Sequence, residues 1–348
     1  MCEISVIVPC HNSMPYIKEA FKSLLNQSFK DFEVIFVDDG SFDGTLEFIQ
    51  ESALRYSFVS FLQNPIQGAG GSRNLGLQYA KGNYLIFLDS DDVFSPSLLQ
   101  KLYSTAVKTA SDATICEYES FIDGTDTFKL NASFRAFPKI FQPQDMSIDL
   151  LMALDSVAWN KLFKKELFIK HDINFQNCRH SNDVYGVYSA LLNSETISLV
   201  SRPLVRYRTG RNKSTQGKKS KDPSGILIPF RQLVQDFADR LDFAKIIYGS
   251  FLMHFRSNFN NMDSVFASGK LWDAFRDDQL LFDWMQRHRL KIRLWEDALF
   301  FCVCKMSFSD FSKKMQGKIT FFRLILPKRF KKFALLFSAV LYYSINFK

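Results

Sequence analysis

Through about the first 120 residues, apolar runs of strand length alternate with amphipathic runs of helix length, an order that few folds accept. The spacing reads Ile4–Val8, Phe32–Val37, Val59–Gln63, Tyr84–Leu88 and Ala113–Tyr118 as strands. Helices are expected over Tyr16–Gln27, Leu46–Tyr56, Gly71–Ala80 and Ser97–Ala110. Strands separated by helices need crossover connections, so the expected architecture is α/β, a mainly parallel sheet covered by helices with ligands at the carboxyl ends of its strands. A length of 348 residues exceeds one ordinary domain. From about Asp222 the periodicity is helical, over Ile226–Phe243, Ala244–Phe259, Leu271–Arg289 and Ile292–Met306. Trp272, Trp284 and Trp295 are expected in the core of this helical appendage. The expected organisation is residues 1–220 as the α/β domain, 221–310 as the appendage and 311–348 as a basic, aromatic-rich tail.

The net charge of +8 belongs to that tail. No acidic residue follows Asp310, whereas nine basic ones do, which leaves the preceding chain at about −1. The basic side chains are interleaved with Phe321, Phe322, Phe330, Phe333, Phe337, Tyr342 and Tyr343. The apolar stretch Phe333–Ile345 falls short of the roughly 20 residues that span a bilayer. Two readings stand: a segment lying on anionic lipid, where each cation contributes about 1 kcal/mol, and a final helix packed on the body with a solvated basic edge. Nucleic acid is not expected as a partner, because no recognition module accompanies the charge. The six cysteines form no C-x-x-C pair and no zinc-like spacing. A reducing cytoplasm is therefore expected, and, because the sequence enters a strand at Ile4, secretion through a cleavable leader is not expected.

Three polar clusters fall where the alternation puts strand ends. The run Tyr84-Leu85-Ile86-Phe87-Leu88 ends in Asp89-Ser90-Asp91-Asp92, carboxylates that repel one another unless a cation or a set of donors balances them. The same residues also suit a solvated turn with Asp92 or Ser95 capping the next helix. Phe32–Val37 ends in Asp38-Asp39-Gly40-Ser41, and Asp43-Gly44-Thr45 opens a helix. A carboxylate there can accept a uracil imide N–H or ribose hydroxyls, and the sequence equally suits a turn and cap. The glycine-rich run Gln67–Gly76 leads into a helix whose amino terminus, with Arg73, favours an anion.

Taken in order, Ile4-Ser5-Val6-Ile7-Val8-Pro9-Cys10-His11-Asn12, Val37-Asp38-Asp39-Gly40-Ser41, Ser72-Arg73-Asn74-Leu75-Gly76 and Phe87-Leu88-Asp89-Ser90-Asp91-Asp92 resemble the family 2 glycosyltransferases of GT-A fold, a Rossmann-like architecture. Looser similarity runs through Trp159–Phe163, Ser181–Tyr185 and Tyr207-Arg208, and so covers about the first 215 residues. The resemblance implies a UDP-sugar donor held by Pro9, Asp39, Arg73, Asp89 and Ser90, with Asp39 on the uracil and Arg73 nearby. It implies a divalent cation, Mg²⁺ or Mn²⁺, on Asp91 against the diphosphate, with Asp89 at the ribose or the metal shell. Asp183 aligns with the family's general base. The family usually has Glu immediately before that base, where this chain has Asn182. Ser181-Asn182-Asp183 also suits a cap for the helix running to Asn193.

Around these, Asp92, Trp159, Lys161, Asn182 and Arg208 are candidates for contact with acceptor or phosphate. Trp159 reads as a stacking wall or as core, Lys161 and Arg208 as phosphate or acceptor contacts or as surface ion pairs, and His180 as solvated or structural. Arg211–Asp222 reads as a loop over the donor phosphates. The function implied is an inverting, metal-dependent transfer of a hexose from a UDP-sugar to a saccharide or glycolipid acceptor. Bacterial capsule or lipooligosaccharide assembly, peripheral on the inner face of the plasma membrane, follows by analogy. A processive synthase is disfavoured, because spanning segments and a Gln-x-x-Arg-Trp element are missing. The alternatives are a nucleotide-sugar binding module without turnover and a membrane-surface scaffold working through the tail. The helical appendage suits acceptor binding, membrane docking or pairing into a homo-oligomer.

Overall fold

The computed structural model describes residues 2–125, 127–131, 133–178, 180–210, 222–260 and 265–288. They divide into two compact units. The first holds the described residues up to 210 except His180 and Ser181, and the second holds those two with the residues from 222 onward.

The first unit is built on a ten-stranded sheet. Its first half comprises β1 (Ile4–Cys10), β2 (Phe32–Asp38), β3 (Val59–Gln63) and β4 (Tyr84–Phe87), alternating with helices α1 (Tyr16–Leu25), α2 (Thr45–Arg55) and α3 (Ala69–Tyr79). These four strands are mutually parallel in the order β3-β2-β1-β4, as the alternation requires. β1 is central and reads as a near-continuous apolar run because both its faces are covered: Ile4, Val6, Ile7, Val8 and Cys10 are all buried. α1 turns Ile17, Ala20, Phe21 and Leu24 to the sheet, with the Phe21 ring edge-on to Phe36 at 5.5 Å. α3 lies closer still. A Cβ on its Gly76 would stand 2.4 Å from Ile7 Cγ2, so only glycine lets this helix settle on β1.

Beyond β4 come β5 (Val93–Phe94), α4 (Leu98–Thr109), β6 (Ala113–Ile122), β7 (Phe128–Leu130), β8 (Ile140–Phe141), α5 (Ile148–Leu154), β9 (Lys161–Lys164), α6 (Lys165–Lys170), α7 (Val184–Asn193) and β10 (Ile197–Thr209). The sheet continues β4-β9-β6-β10-β5. β9 is antiparallel to both its neighbours, while β6 and β10 are parallel. Six of the ten strands thus run one way, with β9 reversed in the middle and the two- or three-residue strands β5, β7 and β8 reversed beside β6 and β10. The strand expected over Tyr84–Leu88 ends at Phe87, and two-residue β5 pairs antiparallel with β10 through Val205 and Arg206. The acidic run is therefore a short connection between two strands of one sheet. Neither Asp92 nor Ser95 caps α4, whose amino-terminal boundary residue is Ser97.

The second unit contains α8 (Leu227–Phe237), α9 (Leu241–Asn260), α10 (Val265–Asp277) and α11 (Gln279–Arg287). The single helix expected over Leu271–Arg289 is broken at Asp278, whose side chain accepts a hydrogen bond from Leu281 N at 3.3 Å and starts α11. Periodicity continues across the break, which is why it reads as one helix. Phe230, Phe251 and Phe275 form the aromatic centre, with ring centroids 5.3 and 4.9 Å apart, and Trp284 is buried as expected. The Trp272 side chain, Trp295, the helix expected over Ile292–Met306, the loop residues 211–221 and the tail 311–348 lie outside the described residues. Among the described residues, no helix is long and apolar enough to cross a membrane.

Candidate active site

Parallel strands end on one edge of a sheet, so the residues after β2 and β4 emerge on either side of β1. Two strand spacings separate them, about 10 Å. Asp39 N donates to the Cys10 carbonyl at 2.8 Å, and Leu88 N donates to the Ile7 carbonyl at 2.9 Å, so both acidic segments start from the flanks of this one strand. The residues that follow β1 fill the gap. Ser13 Oγ meets Ser90 Oγ at 2.7 Å, Asn12 N donates to Ser41 Oγ at 3.0 Å, and Ser13 N donates to Thr45 Oγ1 at 2.9 Å. Pro9 sits in β1 opposite Val37 and is partly exposed.

Asp39 is half-buried and its carboxylate is held on two sides. Gly68 N lies 2.9 Å from both oxygens, and Asn64 Nδ2 donates to Oδ1 at 2.8 Å. The anion expected near the start of α3 is thus, in part, a carboxylate of the protein itself. His11 Nδ1 donates to the Asp39 carbonyl at 2.9 Å, which leaves Nε2 to accept from Asn12 Nδ2 at 3.1 Å. The neighbouring Asp38 turns inward, where its Oδ2 accepts from Gly40 N and Ser41 N at 3.1 and 3.2 Å and closes the turn.

Asp89, Asp91 and Asp92 each bring a carboxylate oxygen within 4.8 Å of the others. Burial pushes the Asp92 carboxyl well above its usual range, and the charge of Asp89 pushes it the same way. One Asp92 oxygen accepts from Arg208 N at 2.8 Å, while Oδ2 is buried without a hydrogen-bond partner. Three crowded oxygen donors with one buried atom left over fit a hard divalent cation, which would satisfy that atom and relieve the repulsion. Arg73, from α3, approaches the cluster from the side, with Nη2 3.1 Å from Asp89 Oδ1 and Nη1 2.5 Å from Asn182 Oδ1. Its guanidinium is thus joined to Asp89 and Asn182, not to Asp39.

Asp183 is the residue before α7. Its side chain makes no capping hydrogen bond, so the cap expected of Ser181-Asn182-Asp183 is not formed by this carboxylate. Desolvation raises it to about 6, opposed by the positive charge of Arg73 and assisted by the negative charge of Asp89. A carboxyl in that range can take up a proton near neutral pH.

Three other candidates are buried behind this edge. Trp159 is core: Tyr118 meets it edge-on at 4.6 Å and Tyr207 stacks on it at 5.4 Å, so a protein ring occupies the face expected for a sugar. Lys161 is fully buried, which rules out the surface ion pair. Its ammonium donates to the carbonyls of Leu154 and Val157 and to Asn160 Oδ1 at 2.7–2.8 Å, so its three donors are spent within the fold. Burial draws this lysine down to about 8. Lys161→Met is expected to lower stability by about 1–3 kcal/mol, the cost of leaving those acceptors unmade, and to leave nucleotide affinity unchanged. Urea melts and calorimetry with UDP check both halves, and a large loss of UDP affinity in a stable variant would return Lys161 to the ligand. Arg208 is likewise no surface ion pair, being only 5% exposed. It bonds the Asp91 carbonyl at 2.8 Å, Asp123 at 2.6 Å and Glu19, with Phe121 and Tyr16 against its guanidinium. Arg208 therefore clamps the acidic turn in place. His180 belongs to the second unit and is structural, with Nε2 donating to the Asp222 carbonyl at 2.6 Å.

The profile described as Glycosyl transferase family 2 matches residues 5–172, the stretch that carries Asp39, Arg73 and the acidic cluster. Those residues belong to glycosyl transferase family 2. The chain is 30% identical over 210 residues to EpsH of Bacillus subtilis, covering 59% of this chain and 60% of EpsH. The chain thus spans less than two thirds of that relative. In fold it is similar to TarS 1-349 of S. aureus in complex with UDP-GlcNAc, with a TM-score of 0.72 at 18% identity over 90% of this chain and 91% of TarS 1-349. The mannosyltransferase PcManGT of Pyrobaculum calidifontis, in complex with GDP-Man and Mn²⁺, follows at a TM-score of 0.57 and 15% identity over 99% and 88%. The expected GT-A fold is the fold of the family 2 domain.

Several residues that organise this domain's site carry little signal in the sequence. Asn64, which holds Asp39 together with Gly68 of the glycine-rich run, stands just after β3, a strand-end position where the alternation could have pointed. Glu19, Asp123 and the Ser13 hydroxyl carry no local signal, since these side chains meet Arg208 or Ser90 across 77 residues or more.

Proposed function

We propose that the chain is an inverting, metal-dependent glycosyltransferase that moves a hexose, of galactose, glucose or N-acetylglucosamine type, from a UDP-sugar to a saccharide or lipid-linked saccharide. The observation that carries this reading is the pairing, in the edge region of one sheet, of a three-carboxylate cluster with a base-range carboxyl at Asp183. UDP-GlcNAc in TarS and GDP-Man with Mn²⁺ in PcManGT support a nucleotide sugar and a cation.

Asp39, fixed by Gly68 and Asn64, accepts the imide N–H of uracil, with Pro9 and Ser90 lining the nucleotide and Asp89 meeting the ribose or the metal shell. Asp91, with Asp89 and Asp92, would hold the divalent cation, which supplies Lewis-acid neutralisation of the charge gathering on the departing diphosphate. Asp183 takes the proton from an acceptor hydroxyl as that oxygen bonds to the anomeric carbon. The bond from that carbon to the diphosphate oxygen breaks with its electron pair leaving on UDP. One displacement from the opposite face inverts the configuration. The nine basic residues after Asp310, interleaved with aromatic rings, support a peripheral place on an anionic membrane face, where a lipid-linked acceptor would be found.

A panel of nucleotide sugars with Mg²⁺, Mn²⁺ or chelator, scored by nucleoside diphosphate release and by transfer to saccharide acceptors, tests this. UDP release that needs both cation and acceptor is expected. Binding of every donor without release would favour a module without turnover.

A further inference from the structure

Arg73 is 5% exposed and uses its two terminal nitrogens in different directions. Nη2 pairs with Asp89, on the acidic turn, and Nη1 donates to Asn182, the residue before Asp183. The same helix grips the chain that leads to Asp183 at further points. Asn74 bonds both backbone groups of Phe175, as acceptor from N and donor to O, each at 2.7 Å. The Arg73 guanidinium lies over the Phe175 ring, 5.5 Å from its centroid. A Cβ on Gly70 would stand 2.1 Å from the Gln176 carbonyl oxygen, so the two backbones touch directly. A planar fork on a stem fixed by packing can hold two groups in one geometry, which a lysine ammonium cannot.

We propose that Arg73 is a positioning residue that ties the Asp89 carboxylate to the Asn182–Asp183 segment and so holds the group that takes the acceptor's proton in register with the edge that binds the donor diphosphate. This rests on the reading of Asp183 as general base. After desolvation, Arg73 is the strongest influence on the Asp183 carboxyl and draws it back down. Asn182 has a part in the same arrangement, because its side-chain oxygen accepts the Nη1 bond.

The test compares Arg73→Gln, Arg73→Lys, Asn182→Ala and Asn182→Asp in the full chain, by kcat and KM with the UDP-sugar found active and by calorimetry with UDP and Mn²⁺. Arg73→Gln and Asn182→Ala are each expected to lower kcat about 10²-fold, the cost of misplacing a group by about 1 Å. Donor KM and UDP affinity should change less than about threefold in Asn182→Ala, which leaves Asp89 and its Arg73 partner in place. Asn182→Asp keeps an oxygen for Nη1 and should restore kcat, whereas Arg73→Lys should not. A normal kcat in Asn182→Ala, or Arg73→Gln acting on UDP affinity alone, would overturn the proposal. Should Arg73→Gln fail to fold, the two Asn182 variants decide it. Asp183→Asn with full activity would remove the base itself, whereas a dead Asp183→Asn beside an active Asn182→Ala would remove only the positioning role.

Discussion

Asp183→Asn is expected to lower transfer about 10³-fold, within the range a positioned general base supplies, while UDP and Mn²⁺ bind as before. The substitution keeps shape and hydrogen-bonding capacity and removes only the ability to accept a proton. It should not disturb α7, because the Asp183 side chain makes no capping bond there. Desolvation holds the wild-type carboxyl at about 6, so kcat/KM should fall tenfold per pH unit below that value and level off above it. The stability effect has the opposite sign. A carboxyl raised from 3.8 to about 6 favours the protonated fold, a contribution present below about pH 3.8 and lost as pH rises to about 6. Asp183→Asn should thus be at least as stable as wild type at neutral pH. Undiminished transfer, or an acid limb that survives the substitution, would take Asp183 out of the chemistry.

Removing the cation, or the residue expected to hold it, should be as damaging. Chelator is expected to abolish transfer, and Asp91→Ala to lower it about 10³-fold, since Lewis-acid neutralisation of a leaving diphosphate contributes several kcal/mol to the barrier. The physical ground is the cluster itself: three carboxylate oxygens within 4.8 Å, one of them on a buried Asp92 raised by burial and by Asp89. Arg208 holds the turn through the Asp91 carbonyl and does not need its side chain, so the variant should keep its fold. Calorimetry separates the outcomes. Asp91→Ala should bind Mn²⁺–UDP at least about 10²-fold more weakly. Full transfer in chelator, or unchanged Mn²⁺–UDP affinity in Asp91→Ala, would exclude this site as the cation's seat.

What the sequence by itself determined is the part that local periodicity and strand order encode. Apolar runs at Ile4–Val8, Phe32–Val37 and Tyr84–Leu88 separated by helices leave a parallel sheet as the outcome, and parallel strands must release their carboxyl ends on one edge. That alone brings Asp39 and Asp89–Asp92 to either side of β1. Tertiary structure decided which polar side chains face that edge and which are consumed behind it. Lys161, Trp159 and Arg208 carry ligand-like chemistry in the sequence, yet backbone carbonyls, Tyr207, Asp123 and Glu19 claim them. The reversed strand β9, the break at Asp278 and the link from Arg73 to Asn182 belong to the same class. The reason is range: periodicity reports which face of an element is apolar, whereas a buried polar group is fixed by a partner that pairing across the sheet brings near, 109 residues away for Arg73 and Asn182.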